Sequence, residues 1–357
     1  MPEQTTRQLA SLDREAVRAA LGAAVGEEVV GAFVRVDGDE GPWVAVAGSA
    51  ERGEARPVDP EGFFRIGSIT KAFVATTVLQ LVDEGRLGLD EPVQPRAPGL
   101  LPDDYPPITA RQLLQHTSGV PNYLPDAMPD AEHYLRDQHT WSRKDLLEIA
   151  FAQPRRFEPG ARLGYSNTNY VLLGLVVEAI TGRHWGDEVV GRICIPLGLA
   201  DTFAPRDERL PVPHATGYAT TRAGVVDVSE SNPSIYEAAG SMISTARDVD
   251  AFLDALLGGE LLATALLDEM LTPFPERVEP VPMFGFGLGV EQLDLDGPDA
   301  HVPVYGSGGS LFGYSAMAFG DREGRRRCVL GLNVATDDAL AAGDTLLDVT
   351  RAVFCGR

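Results

Sequence analysis

Apolar positions recur every three to four residues across 13–26, behind an acidic start and ahead of Gly26, which predicts an amphipathic helix. Residues 29–36 and 43–48 carry β-branched and aromatic runs joined by the turn-rich stretch 37–42, the pattern of a strand pair. Residues 64–67 lead into 68–84, a long apolar-rich stretch stopped by Gly85. From 89 to about 275 the periodicity is helical and broken by Pro- and Gly-rich loops, with helices predicted at 110–115, 142–152, 168–181 and 245–257. Strand signals return at 284–293, 313–319 and 328–333, and a final helix is predicted over 338–354.

Strands at both ends with helices between them predict an α/β (α+β) fold. An antiparallel sheet is formed by both termini and flanked by helices, and a large, mostly helical region is inserted into it. The implied boundaries are 1–66 plus 276–357 for the sheet domain and 67–275 for the helical one. A small-molecule site is expected in the cleft between them.

Composition narrows the function classes. Of 357 residues, 44% are hydrophobic and 23% charged, enough apolar material for a sizeable core and unlike a disordered chain. The net charge of -22, spread along the sequence, repels phosphate backbones and anionic lipid, so neither nucleic acid nor membrane is expected as a partner. The longest apolar stretches, 72–82 and 171–180, are interrupted and too short to span a bilayer. The N-terminal stretch lacks the basic start and apolar core of a signal peptide, which leads to the expectation of a cytoplasmic protein. Cys194, Cys328 and Cys355 form no CxxC pair, as suits a reducing compartment, and the six histidines form no HExxH. No metal or cofactor is predicted.

Three constellations carry candidate chemistry. In Ser68-Ile69-Thr70-Lys71 the first and last residues share a helix face, so the lysine amine can reach the serine hydroxyl and act as its base if burial lowers its pKa. Alone, this reads rather as a serine cap with an exposed lysine one turn later. Tyr165-Ser166-Asn167 precedes an apolar helix; a phenol near an ammonium can pass a proton and an amide can orient both, although the tripeptide also reads as a capping turn. In Tyr305-Gly306-Ser307-Gly308-Gly309-Ser310 small residues let a substrate backbone lie against a strand edge, and the N–H near Ser310 can complete an oxyanion hole with that of Ser68. The other reading of that stretch is a glycine turn.

Order and context decide between these readings. The sequence resembles the penicillin-recognising serine enzymes: class C β-lactamases, soluble D-alanyl-D-alanine carboxypeptidases and related esterases and transacylases. The resemblance rests on Phe64-Arg65-Ile66-Gly67-Ser68-Ile69-Thr70-Lys71, on Leu114-Gln115-His116-Thr117-Ser118-Gly119 and on Tyr165-Ser166-Asn167-Thr168-Asn169-Tyr170. Pro196-Leu197-Gly198-Leu199 and Ala239-Gly240-Ser241-Met242-Ile243-Ser244-Thr245 fit it as well, and it runs from about Val29 to the last helix. It implies Ser68 as the acylated nucleophile, Lys71 as its proton partner, Tyr165 as base or relay toward the leaving group, and Asn167 as the group that positions a substrate amide. Ser307, Gly308, Gly309 and Ser310 would form the substrate-binding strand. Which of Lys71 and Tyr165 takes the first proton stays open.

The chain departs from the family where a substrate carboxylate would bind. The third motif of such enzymes begins with Lys or His; here it is Ser307-Gly308-Gly309, and where carboxypeptidase relatives carry an arginine this chain has Glu291 and Gln292. Setting a carboxylate against Glu291 in a partly buried cleft costs a few kcal/mol. Cys355 stands where a secreted relative has a disulfide cysteine, but residues 294–303 hold no partner.

Other chemistry fits less well. There is no GxSxG, Gly285-Phe286-Gly287-Leu288-Gly289 lacks dinucleotide spacing, and His116 reads as structural. The expectation is therefore a serine hydrolase or acyltransferase working through an acyl-enzyme on Ser68. Its partners are a small ester, amide or peptide as a neutral acyl donor and, if transfer occurs, an acyl acceptor. The alternatives are a D-alanyl-D-alanine carboxypeptidase or β-lactamase, or a non-catalytic binding protein of the same fold.

Overall fold

The computed structural model describes residues 9, 11–136, 139–276, 284–296, 301–335 and 339–356. The chain forms β1 (Val29–Gly38) and β2 (Trp43–Gly48) early. The short β3 (Phe63–Arg65), β4 (Tyr218–Thr221), β5 (Gly224–Asp227) and β6 (Ile243–Thr245) follow, then β7 (Phe284–Phe286), β8 (Glu291–Asp296), β9 (His301–Leu311), β10 (Tyr314–Gly320) and β11 (Arg326–Val334). Seven of these make one sheet in the order β2-β1-β11-β10-β9-β8-β7. Every neighbouring pair in it is antiparallel. Strands from both ends of the chain meet where β1 pairs β11, Val34 opposite Leu330.

Strand alternation sets the layers. From β1, Ala32, Val34 and Val36 pack on the outer face with Val17 and Leu21 of the helix Arg14–Ala24 and with Val349 and Val353 of the helix Ala339–Cys355. Phe33, between them, turns to the inner face and joins the core under the helices Thr70–Asp83 and Ala246–Leu257. The helix Arg14–Ala24 starts where the Asp13 carboxylate accepts from the N–H groups of Glu15 and Ala16 at 3.1 and 3.0 Å, which satisfies donors with no partner inside the helix. Thr70–Asp83 is buried on nearly every side, and its Phe73 stacks on Phe252 with centroids 3.7 Å apart.

Two expected elements differ. The strand predicted at 284–293 is two, because residues 287–290 form a tight turn. Gly289 has φ +85°, and a Cβ there would lie 2.2 Å from the Ala75 Cβ, so the turn presses onto the helix Thr70–Asp83 in a way that only glycine allows. The helix predicted from 68 begins at Thr70, after a 3-10 turn at Gly67–Ile69. The short β3, for which no element was predicted, pairs with β6 outside the large sheet. Among the described residues no helix is long and apolar enough to cross a membrane. Cys194, Cys328 and Cys355 are all buried.

Candidate active site

Ser68 sits in the 3-10 turn that feeds the buried helix. The turn is pinned by the Ile66 N–H donating to the Met242 carbonyl at 3.1 Å and by the Thr70 hydroxyl accepting from the Met242 N–H at 3.1 Å. One turn on, the Lys71 Nζ donates to the Ser68 Oγ at 2.8 Å, and from the other side the Tyr165 hydroxyl is 2.9 Å from the same oxygen. Lys71 also donates to the Asn167 Oδ1 at 2.9 Å and to the Ala239 carbonyl. Asn167 stands at the start of the helix Thr168–Thr181, yet its side chain makes no capping bond to that helix. Its oxygen faces Lys71 instead, which sets aside the capping-turn reading.

Burial governs the electrostatics. Lys71 is 4% exposed, and desolvation of its ammonium lowers its pKa to about 7, against an opposing pull from Glu291. Burial pushes the Tyr165 phenol well above its ordinary value; the Ser68 hydrogen bond opposes this and Glu291 adds to it. An amine near neutrality beside a phenol that keeps its proton is a pair that can take a hydroxyl proton and return one elsewhere.

Tyr165 is held by its surroundings. Its ring lies 4.4 Å from that of His116 and 6.0 Å from that of Phe286, centroid to centroid. His116 is buried, its Nδ1 accepts the Ser166 N–H at 3.2 Å, and burial followed by the Lys71 charge holds its pKa well below the ordinary range. The sequence reading of His116 was structural; its packing against Tyr165 was not visible there.

The opposite wall is β9. Its pairing with β8 ends at Glu291 opposite Gly306, which leaves the edge from 307 to 311 unpaired by β8. A cavity of about 370 Å³ opens there, with Ser68, Tyr165, Asn167, Gly308, Gly309 and Ser310 on its walls. Ser307, predicted with them, is buried at 4% exposure and is not on the wall. The Ser310 hydroxyl is 2.8 Å from the Ser315 hydroxyl on β10.

Gly309 packs against the nucleophile turn so closely that a Cβ would lie 2.2 Å from the Ile66 carbonyl oxygen and 2.8 Å from the Ser68 nitrogen. Gly309→Ala is therefore expected to push the turn from the strand and lower kcat/KM for an activated ester roughly 100-fold, since about 1 Å of misplacement costs that much. Steady-state kinetics, with a denaturation curve to confirm folding, checks this.

Glu291 lines the same cavity and was not among the predicted site residues. It opens β8 directly after the glycine turn, and only the folding of that turn brings it to Ser68. Burial pushes its carboxyl up to about 7, while the Gly308 N–H, the Lys71 charge and the Ser307 hydroxyl pull it back. The Ala239 carbonyl that holds Lys71 was also missed as a site group, being a backbone atom in a stretch noted only for its resemblance. Among the described residues no group of three or more His, Cys, Asp or Glu could hold a metal ion.

The Beta-lactamase family profile matches residues 16–349. The chain belongs to the beta-lactamase family. Among solved structures, this family member is similar to a D-stereospecific amidohydrolase from Streptomyces sp., with 37% identity, a TM-score of 0.85, and coverage of 97% of this chain and 99% of that one. The D-amino acid amidase of Ochrobactrum anthropi SV3, complexed with D-phenylalanine, is 27% identical with a TM-score of 0.83, over 96% of this chain and 99% of that one. A penicillin-binding protein of Bacillus subtilis (strain 168) is 28% identical over 285 residues, 76% of this chain but 60% of the relative's own length. This beta-lactamase family member is a serine hydrolase with the α/β fold expected from its sequence.

Proposed function

We propose that this hydrolase works through an acyl-enzyme on Ser68 and takes small amides, esters or peptides whose scissile end is neutral, D-amino acid amides foremost. The observation that carries the mechanism is the Ser68 Oγ held at once by the Lys71 Nζ and the Tyr165 hydroxyl, 2.8 and 2.9 Å away, at the wall of a cavity. In this reading the neutral Lys71 amine takes the Ser68 proton as Oγ attacks the carbonyl, and Tyr165 passes a proton to the leaving nitrogen or oxygen. The carbonyl oxygen is received by the N–H groups of Ser68 and Ser310, Asn167 orients the substrate amide, and Gly308 and Gly309 let its backbone lie along β9. Water then enters by the same proton route and releases the acid.

The substrate class is supported by two independent considerations. Glu291 lines the cavity, and its ionised form disfavours free C-terminal acids and β-lactam carboxylates there. The D-specific amidohydrolase and amidase named above are similar over nearly the whole chain.

Intact mass spectrometry after brief mixing with p-nitrophenyl acetate tests the mechanism. The wild type is expected to gain one acetyl group and Ser68→Ala none. An equal gain on both, or none on the wild type, refutes the acyl-enzyme.

A further inference from the structure

Among the described residues that line the cavity, Glu291 is the one with a formally charged side chain. Its backbone is fixed on both sides, paired with Phe286 of β7 and with Gly306 of β9, so the carboxylate is part of a rigid wall rather than a loop. A partly buried carboxylate that faces a substrate cavity favours a cation there and disfavours an anion.

Its position along β9 says which part of a substrate it meets. The proposed oxyanion site lies at Ser68 and Ser310, whereas Glu291 is beside Ser307 and Gly308, about 7 Å further along the strand at about 3.3 Å per residue. Its charge acts on both Lys71 and Tyr165, the two groups that must exchange protons with whatever leaves the acyl carbon. Tyr165, the proposed proton donor to the leaving atom, packs against Phe286, and Phe286 is paired with Glu291 in the sheet, so the carboxylate stands on the leaving-group side. The path by which an amine leaves in acylation is the path by which an amine arrives when the acyl-enzyme is intercepted, by microscopic reversibility.

Building on the acyl-enzyme reading, we propose that Glu291 makes the leaving-group side of the cleft a subsite for primary amines without a carboxylate, so that the Ser68 ester is passed to ammonium-bearing acceptors in preference to neutral or anionic ones. The step balances as follows. The ammonium gives one proton to the Glu291 carboxylate, and the freed lone pair attacks the ester carbon. The bond from carbon to the Ser68 Oγ breaks, and a second nitrogen proton passes through Tyr165 to that oxygen. The products are an amide, the Ser68 hydroxyl and a protonated Glu291 that returns its proton to solvent.

The test uses the full chain, acetylated in situ by p-nitrophenyl acetate, with D-alaninamide, neutral glycolamide or D-alanine as competing acceptors. The ratio of transfer product to acetate is read by liquid chromatography and mass spectrometry. This ratio reports partition of the acyl-enzyme and does not depend on how fast it forms. The wild type is expected to favour D-alaninamide at least tenfold over the other two. Glu291→Gln should lower that advantage roughly tenfold, the scale of one lost charge pair, while Glu291→Asp keeps most of it. An unchanged ratio in Glu291→Gln, or no transfer to D-alaninamide by the wild type, overturns the subsite while the acetyl adduct on Ser68 leaves the acyl-enzyme standing. Absence of that adduct from the wild type brings both down.

Discussion

Lys71→Ala is expected to lower kcat/KM for a p-nitrophenyl ester about ten-thousandfold, in the range of a lost base in a nucleophile–base pair. The reason lies in proton bookkeeping at one nitrogen. As an ammonium, Lys71 donates to the Ser68 Oγ, the Asn167 Oδ1 and the Ala239 carbonyl, and it has no lone pair with which to take the serine proton. Burial brings its pKa down to about 7, so a large share of molecules carry the free amine at neutral pH.

The sign of the pH dependence follows from this. The active form is the deprotonated amine, so wild-type kcat/KM should rise with pH through about 7 and flatten above it. Glu291 titrates in the same range, and its ionised form favours the ammonium, so the inflection belongs to the pair rather than to one residue. Lys71→Ala should lose this acid limb along with the rate. A pH–rate profile that keeps the limb in the variant would remove Lys71 from the role of base.

Tyr165→Phe should separate substrates by leaving group. The ring keeps its contacts with His116 and Phe286, while the hydroxyl 2.9 Å from the Ser68 Oγ is lost. An amide nitrogen must be protonated to leave, whereas p-nitrophenolate leaves without a proton. A loss of about a thousandfold is therefore expected for a D-amino acid amide and of about tenfold for the p-nitrophenyl ester. The readout is the ratio of the two kcat/KM values, each compared with wild type. Equal losses on both substrates would mean that the phenol serves geometry or acylation in general, and not the leaving group.

The helices predicted at 110–115, 142–152, 168–181 and 245–257 appear as Ala110–Leu114, Arg143–Phe151, Thr168–Thr181 and Ala246–Leu257. Their periodicity and capping residues are local properties. The antiparallel sheet from both termini was legible for the same reason: alternation in 29–36 and 328–333 is written in the side chains of each strand. The strand predicted straight through 284–293 failed because an apolar run says nothing about a turn driven by packing. Gly289 takes φ +85° there, and Ala75, more than two hundred positions earlier, fills the space that a side chain at 289 would need.

The site divides along the same line. Ser68 and Lys71 are three residues apart, so one helical turn can bring the hydroxyl and the amine together, and the order and context of the motifs in the sequence pointed to that pair. The sequence by itself determined the fold class, because burying an apolar face is a constraint that each segment states for itself. The resemblance also named Tyr165 and Asn167, but only the tertiary structure decided how they close on that pair, that the Ala239 carbonyl takes the third lysine proton, and that Glu291 faces the same cavity. Those contacts join segments separated by about a hundred residues or more, and their distances depend on how helix, turn and sheet pack together. The lowered pKa of Lys71 has the same origin, since burial on every side is a property of the assembled core and of no stretch within it.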